Sequence, residues 1–336
     1  MPAPDDHTAA AGPSPRLAFL GPAGTFTEQA ARSLAPKLAP KLATGQQASG
    51  DQKPSVALEP CSTVTVALDL VRSGEVAGAV VPIENSVEGS VPVTLDELAT
   101  GDPLVIAAEA TVPIQFSLIA RPGTTLEAIT LVGTHPHAAA QTRKWVASNL
   151  PQARVVHTNS TAAAGAGIAD GTATWDAAIT SPLAADHYQL QTLAQGIEDN
   201  ASAETRFVLV TRPGAPASPT GADKTSLVAF IRTDHPGLLL ELLEEFALRG
   251  VNLSRIESRP TGAGLGRYCF SIDCEGHIAE ARVGEALMGL HRTCDDVRFL
   301  GSYPRADGVR TEVEKGTGDG DFREAESWLA SLRNGD

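Results

Sequence analysis

Five times along this chain a short apolar run stops in a cluster of small polar residues, and a helical pattern follows. Leu17–Leu20 runs into Gly21, Pro22, Ala23, Gly24 and Thr25; the stretch ending at Pro82 and Ile83 runs into Glu84, Asn85 and Ser86. Val132 leads to Gly133, Thr134 and His135; His157 leads to Thr158, Asn159, Ser160 and Thr161; Ile179 leads to Thr180 and Ser181. Short runs of strand-forming residues alternating with helices specify a parallel α/β sheet. In an open sheet of this kind, ligands bind outside the carboxyl ends of the strands. The helices that start there offer free N–H groups and a positive dipole end, which favour a carboxylate or phosphate. Each turn alone is also an ordinary one: Ser160 and Thr161 suit a helix N-cap, as does Ser181 before Pro182. Neither G-x-G-x-x-G nor G-x-x-x-x-G-K is present, so the pattern by itself stops at an anion-binding α/β protein.

The segment 104–120, rich in β-formers and broken by Pro113, is expected to be two strands crossing between subdomains. Residues 205–211 are a late strand that returns to the first of them. Two α/β lobes joined by crossing strands make a two-lobed, periplasmic-binding-protein-like domain with a ligand cleft between the lobes. The expected division is a disordered leader at 1–15, then a domain at 16–212. Its lobe 1 takes 16–105 and 190–212, and its lobe 2 takes 106–189. Residues 36–55 look like a surface insertion, and Ser62 or Thr63 caps a helix that ends near Gly74. A Pro- and Gly-rich linker spans 213–223. Residues 224–304 follow the order strand, helix, strand, strand, helix, strand, which is ferredoxin-like (βαββαβ). Leu238, Leu239, Leu242, Leu243 and Phe246 form an apolar stripe on its first helix. The charged residues 305–336 are expected to be a flexible acidic tail with at most a short helix near Trp328.

Charge and composition narrow the function. A net charge of −14 over 336 residues opposes non-specific attraction to nucleic acid or anionic lipid. No run of 18 or more apolar residues marks a membrane span. Cys61, Cys269, Cys274 and Cys294 form no C-x-x-C pair and no metal-spaced cluster, which fits reduced, buried thiols in a cytoplasmic protein.

Several segments, taken in order, resemble the signatures of the prephenate dehydratases: GPAGTFTEQAA (21–31), VPIENSVEGSV (81–91), THPHAAAQ (134–141), NSTAAA (159–164), AAITSPLAADHYQL (177–190) and TRF (205–207). HPGLLLELLEEFALRGVNLSRIESRP (235–260) is similar to the start of that family's ACT regulatory domain. The resemblance covers about residues 17–304 and implies a monofunctional enzyme that converts prephenate to phenylpyruvate, carbon dioxide and water in phenylalanine biosynthesis. It implies no metal and no other cofactor. Thr205 matches the family's catalytic threonine and Asn85 its site asparagine. Thr134 stands at a serine position, Gln141 at a glutamine, and Ser160 and Thr161 at substrate-contacting positions. Glu84 joins Asn85 and Thr205 as a candidate catalytic group. Ser86, Arg206 and Phe207 complete the candidate substrate-binding set. The proton donor to the departing hydroxyl stays open among Thr205, Glu84 and His135. Two positions depart from the family pattern: Ala203 where Asn is common, and His137 where Gln is common.

For the ACT domain the resemblance implies allosteric phenylalanine binding near the first strand–helix turn, at Gly237, Leu238, Asn252, Leu253, Glu257 and Ser258. It also implies a homodimer or homotetramer. Two other readings remain at this point: arogenate as substrate, and a sensor of amino or keto acids without turnover.

Overall fold

The computed structural model describes residues 15–42, 56–232, 235–262, 264 and 268–335. The first lobe begins with β1 (Arg16–Leu20), α1 (Phe26–Leu42), β2 (Ala57–Cys61), α2 (Val64–Ser73), β3 (Gly78–Asn85), β4 (Gly89–Ser90), α3 (Pro92–Thr100) and β5 (Val105–Pro113). Local chemistry sets several of these bounds. Thr63 caps α2 by accepting a hydrogen bond from the Val66 N–H at 3.1 Å, and Gly74 closes it in the left-handed region. Val64, Ala67, Leu68 and Val71 bury the same face of that helix, at helical spacing.

The second lobe holds β6 (Ser117–Ala120), β7 (Leu131–Thr134), α4 (Pro136–Gln141), α5 (Arg143–Asn149), β8 (Arg154–His157), α6 (Thr161–Asp170), β9 (Ala177–Thr180), α7 (Pro182–Tyr188) and β10 (Gln191–Gln195). The chain then returns through β11 (Glu204–Thr211). One sheet runs β2-β1-β3-β11-β5 with β4 on β3, and the other runs β10-β6-β9-β7-β8. Strand β11 lies antiparallel between β3 and β5, with Thr205 opposite Asn85 on one side and Val112 on the other.

The crossing points differ from the sequence expectation. β5 stays in the first sheet as far as Pro113, eight residues past the expected boundary at 105, and β10 pairs with β6 in the second sheet. Which neighbour a strand hydrogen-bonds is a non-local choice that an apolar run does not encode. Helix α1 also continues through Pro36 to Leu42, where an insertion was expected. Its buried Ala30, Ala31 and Leu34 hold it to the core, and that packing overrides the local cost of proline. The rest of that insertion, 43–55, lies outside the described residues, as does the expected leader apart from Pro15.

The C-terminal domain consists of β12 (Asp223–Phe230), α8 (Leu238–Ala247), β13 (Leu253–Pro260), β14 (Tyr268–Glu275), α9 (Ala281–Thr293) and β15 (Asp296–Pro304), followed by α10 (Asp319–Asn334). Its antiparallel sheet has the order β13-β14-β12-β15, the ferredoxin-like arrangement. One face packs on α8 and α9 through Leu227, Ala229, Ile272, Leu242 and Val283. The other face rests on lobe 1: Val228, Cys269, Leu300 and Tyr303 share a core with Leu95, Leu98, Ile106 and Val208. Gly301, at φ +131°, permits the closest approach, since a Cβ there would stand 2.3 Å from the Ile106 carbonyl oxygen. The segment 213–223 therefore joins two bodies that are already packed together.

The tail is not the flexible segment expected. α10 is a helix of 16 residues. Asp321 reaches back to accept the Gly318 N–H at 3.0 Å, acidic residues occupy its first turn and Arg333 its last. Each suits the helix dipole. Asp319 accepts the Ala281 N–H at 2.8 Å and so ties α10 to α9.

Candidate active site

A cleft of about 580 Å³ opens between the two lobes. Lobe 1 contributes Thr25–Thr27, Asn85, Glu88, Thr205 and Phe207, and lobe 2 contributes His135, His137, Gln141, Asn159, Ser160 and Thr161. The crossing segment adds Ile114 and Phe116, and the Phe116 ring meets Phe26 edge-on at a centroid distance of 5.7 Å. This gives the cleft an apolar floor suited to a six-membered ring, with polar groups around it.

Asn85 and Thr205 form a hydrogen-bonded polar pair on its lining. The Asn85 side-chain carbonyl accepts the Val87 and Glu88 N–H groups at 2.8 and 2.9 Å, which fixes the amide. Its NH2 donates to Thr205 Oγ1 at 2.7 Å. Thr205 Oγ1 thus accepts from Asn85, and its own proton remains free to be donated into the cleft. Thr205 is only 8% exposed, so that donor works in a shielded site. Gln141, on the cleft lining, has a buried side-chain oxygen with no hydrogen-bond partner among the described residues. Ser160 caps α6 by accepting the Ala163 N–H at 3.0 Å, which places the free N–H groups of that helix at the cleft. The starts of α1 and α3 border it as well.

The ionisable side chains on the described lining are Glu88, His135 and His137, with no Lys or Arg among them. Burial, with help from His137 and His157, holds the His135 imidazole below its usual value against the opposing pull of Glu88. The neutral imidazole is therefore favoured. His137 Nε2 faces Glu88 Oε2 across the lobes at 3.8 Å. Ala203 lies in the crossing segment, where its carbonyl accepts the Ile114 N–H at 2.8 Å. Among the described residues no group of three or more His, Cys, Asp or Glu is arranged to hold a metal ion.

Four candidates lie elsewhere. Glu84 precedes Asn85 on β3 and faces the opposite side of the sheet, with its carboxylate 3.5 Å from Arg206. Arg206 points away from the cleft in the same way, into the seam with the C-terminal domain. Ser86 accepts the Glu204 N–H at 3.0 Å and so ties the β3–β4 turn to β11. Thr134 is fully buried and donates to the Ile179 carbonyl at 2.7 Å, which secures β7 against β9. Strand alternation was a readable signal for Glu84 and Arg206. Glu88 lies within the 81–91 segment but was not singled out, and nothing in the sequence marked Ile114 or Phe116, which reach the cleft only through the lobe crossing.

In the C-terminal domain, Gly237, Leu238 and Ser258 line one pocket of about 250 Å³ with His235, Tyr268 and Phe270. Asp234, beside the predicted turn, lies outside the described residues. Asn252 and Leu253 are at the other end of β13, about 17 Å from Ser258 at roughly 3.3 Å per residue. Glu257 faces lobe 1, with its carboxylate 3.6 Å from Arg259, which in turn bonds Asp96 at 2.8 Å. A single chain therefore gathers three of the six expected effector residues.

A two-lobed α/β pair with an anion-friendly cleft, fused to a ferredoxin-like module that carries its own small pocket, is the plan of a regulated enzyme or sensor of small organic acids. The family model of prephenate dehydratase matches residues 17–215, and that of the ACT domain residues 225–292. A prephenate dehydratase of Amycolatopsis methanolica is 47% identical over 322 residues, covering 96% of this chain and 99% of that protein. Among solved structures, the prephenate dehydratase of Arthrobacter aurescens in complex with L-Phe is 49% identical with a TM-score of 0.85, covering 95% of this chain and 99% of that one. GqqA, described as a novel type of quorum quenching acylase, is 28% identical with a TM-score of 0.72, covering 86% of this chain and 97% of that one. The chain belongs to the prephenate dehydratase family, carries its C-terminal ACT domain and is a lyase of that class.

Proposed function

We propose that the interlobe cleft converts prephenate to phenylpyruvate with Thr205 as the group that assists the departing hydroxyl. The supporting observation is the Asn85–Thr205 hydrogen bond at 2.7 Å, which occupies a lone pair on Thr205 and turns its proton toward the ligand. Prephenate carries a ring carboxylate, a side-chain carboxylate and a ring hydroxyl. As the ring carboxylate leaves as carbon dioxide, the electrons of its C–C bond enter the ring. The ring becomes aromatic and the C–O bond breaks on the far side. The departing oxygen takes up one proton and leaves as water. A threonine hydroxyl is a weak acid, so Thr205 donates a hydrogen bond to that oxygen and relays a proton that solvent replaces. Preorganised donors of this kind are worth about 3 kcal/mol each.

The Gln141 NH2 group, the Ser160 and Thr161 hydroxyls and the N-termini of α1 and α6 donate to the carboxylates. Phe207, Phe116 and Phe26 hold the ring. Burial disfavours the charged form of His135, so it is the weaker candidate for the proton donor. Glu84, Ser86, Thr134 and Arg206 act from outside the cleft, by fixing its walls.

The same reading assigns residues 16–212 to catalysis and 224–304 to control by phenylalanine. Gly237, Leu238 and Ser258 would bind the effector in one chain, with Asn252 and Leu253 supplied by a second copy in a homodimer or homotetramer. The exposed Leu239, Leu240, Ile256 and Tyr268 beside that pocket fit such a contact. No helix among the described residues is long and apolar enough to cross a membrane, which is compatible with a cytoplasmic enzyme.

The direct test is ultraviolet detection of phenylpyruvate from prephenate, run beside arogenate and with a phenylalanine titration. Turnover of prephenate that is abolished in Thr205→Ala and largely kept in Thr205→Ser supports the assignment. Wild-type turnover in folded Thr205→Ala ends it.

A further inference from the structure

Thr205 and Arg206 are consecutive on β11, so one faces the cleft and the other faces the ACT sheet. The β3–β11 ladder is irregular at this place: Arg206 pairs with Glu84 and Phe207 with Pro82, leaving Ile83 as an extra residue. The bulge breaks the ladder on the β3 side and adds local twist there, so next to Thr205 the regular backbone register of β11 comes from β5 alone, from Glu204 to Leu209.

Arg206 adds a side-chain constraint from the ACT face. Its Nε donates to Glu109 Oε2 at 2.6 Å, its Nη1 to Asp273 Oδ2 at 2.6 Å and its Nη2 to the Tyr303 hydroxyl at 2.8 Å. Asp273 and Tyr303 belong to the ACT domain and are fully buried. Asp273 is itself held by Arg255 Nε at 2.9 Å and by the Ser226 hydroxyl at 2.6 Å.

We propose that Arg206 is a positioning residue for the reaction, and that Asp273 acts through it: together they hold β11 in the rotation that sets Thr205 Oγ1 against Asn85. The ACT domain is then part of the architecture of the active site as well as a place for an effector. This inference rests on the assignment of Thr205. A misplacement of about 1 Å at a reacting group costs roughly a hundredfold in rate, so a small rotation is enough to matter.

The experiment compares full-length Asp273→Asn, Arg206→Lys and Tyr303→Phe for kcat and KM on prephenate, with circular dichroism and unfolding midpoints to establish folding. Arg259→Gln, which breaks the Arg259–Asp96 bridge between the same two domains, is the control. Asp273→Asn is expected to lower kcat about 10- to 100-fold with KM changed less than about threefold. Arg206→Lys, which keeps the charge and loses the fork, should fall between Asp273→Asn and wild type. Tyr303→Phe should lower kcat several-fold, and Arg259→Gln should leave it unchanged.

Wild-type kcat in both Asp273→Asn and Tyr303→Phe overturns the proposal. So does an equal loss in Arg259→Gln, which would point to domain docking in general, or an effect confined to KM. If Asp273→Asn does not fold, Tyr303→Phe, which removes one hydroxyl, decides the matter. Thr205→Ala in the same assay separates the two levels. If it retains turnover, the assignment of Thr205 fails; if it is dead while Asp273→Asn and Tyr303→Phe are normal, only the positioning claim fails.

Discussion

The two faces of the lobe 1 sheet handle charge in opposite ways. On the cleft face, near Thr205, the described lining presents hydroxyls, amides and helix ends, with no Lys or Arg. On the ACT face, one residue further along β11, full charges are buried: Arg206, Arg255 and Lys224 against Glu109 and Asp273. A cleft that must release an anionic product is served by many weak neutral donors, whose combined pull is strong only when the ligand fits all of them. A seam that must not open is served by ions whose separation would leave charge without a partner in a dry interior.

The largest expected effect breaks the seam. Arg206→Met leaves Glu109 and Asp273 each short of a cation and should destabilise the fold by about 3–5 kcal/mol, read from urea unfolding. A loss under about 1 kcal/mol would mean that water already reaches the cluster. On the cleft side, Thr205→Ala removes one neutral donor and should lower kcat by about 100- to 1000-fold while stability shifts little. Thr205→Ala is thus expected to cost activity without stability, whereas a change at its neighbour Arg206 costs stability as well, and a Thr205→Ala protein that unfolds easily would erase the contrast.

A third effect depends on pH. Burial pushes the Asp273 carboxyl up, but Arg206 and Arg255 outweigh it and hold the group well below the usual range. Glu109 is lowered too, with Arg206 and Lys224 overcoming its burial. A depressed folded-state value adds stability that is complete above the unfolded carboxylate value of about 4 and is lost as pH falls below it. Urea midpoints should therefore hold steady above about pH 5 and drop below about pH 4, and Asp273→Asn should flatten the drop. Midpoints that fall equally in both proteins would place the acid sensitivity elsewhere. The smallest effect sharpens the boundary between the faces. Glu84→Gln, on the ACT side of β3, should change kcat less than about threefold, whereas a loss near 100-fold would return Glu84 to the reaction.

Much of the fold was legible because its signals are local. The polar stops after β1, β3, β8 and β9, the N-caps Thr63 and Ser160, and the order of elements in the last domain depend on residues a few positions apart. So does the placing of Asn85 at a strand end, of Ser160 and Thr161 at a helix start and of Gln141 at the end of α4. Of the candidates that lie outside the cleft, Glu84 and Arg206 share one cause. Glu84, Asn85 and Ser86 are consecutive, as are Thr205, Arg206 and Phe207, and a strand cannot turn neighbours to the same face. Thr134 was misassigned for a different reason: its hydroxyl is spent on a carbonyl of another strand, a partner 45 residues away.

The amino-acid sequence by itself determined the alternation of strands and helices, the sites where chains of hydroxyls and amides meet helix ends, and the family. Periodicity, caps and turns act over a few residues and need no tertiary partner to be recognised. Only the folded molecule decided which lobe each crossing strand joins, which wall of the sheet each polar residue faces, and that Arg206 meets Asp273, 67 residues later in the chain. Those outcomes depend on desolvation and hydrogen-bond partners that exist only once distant segments have packed.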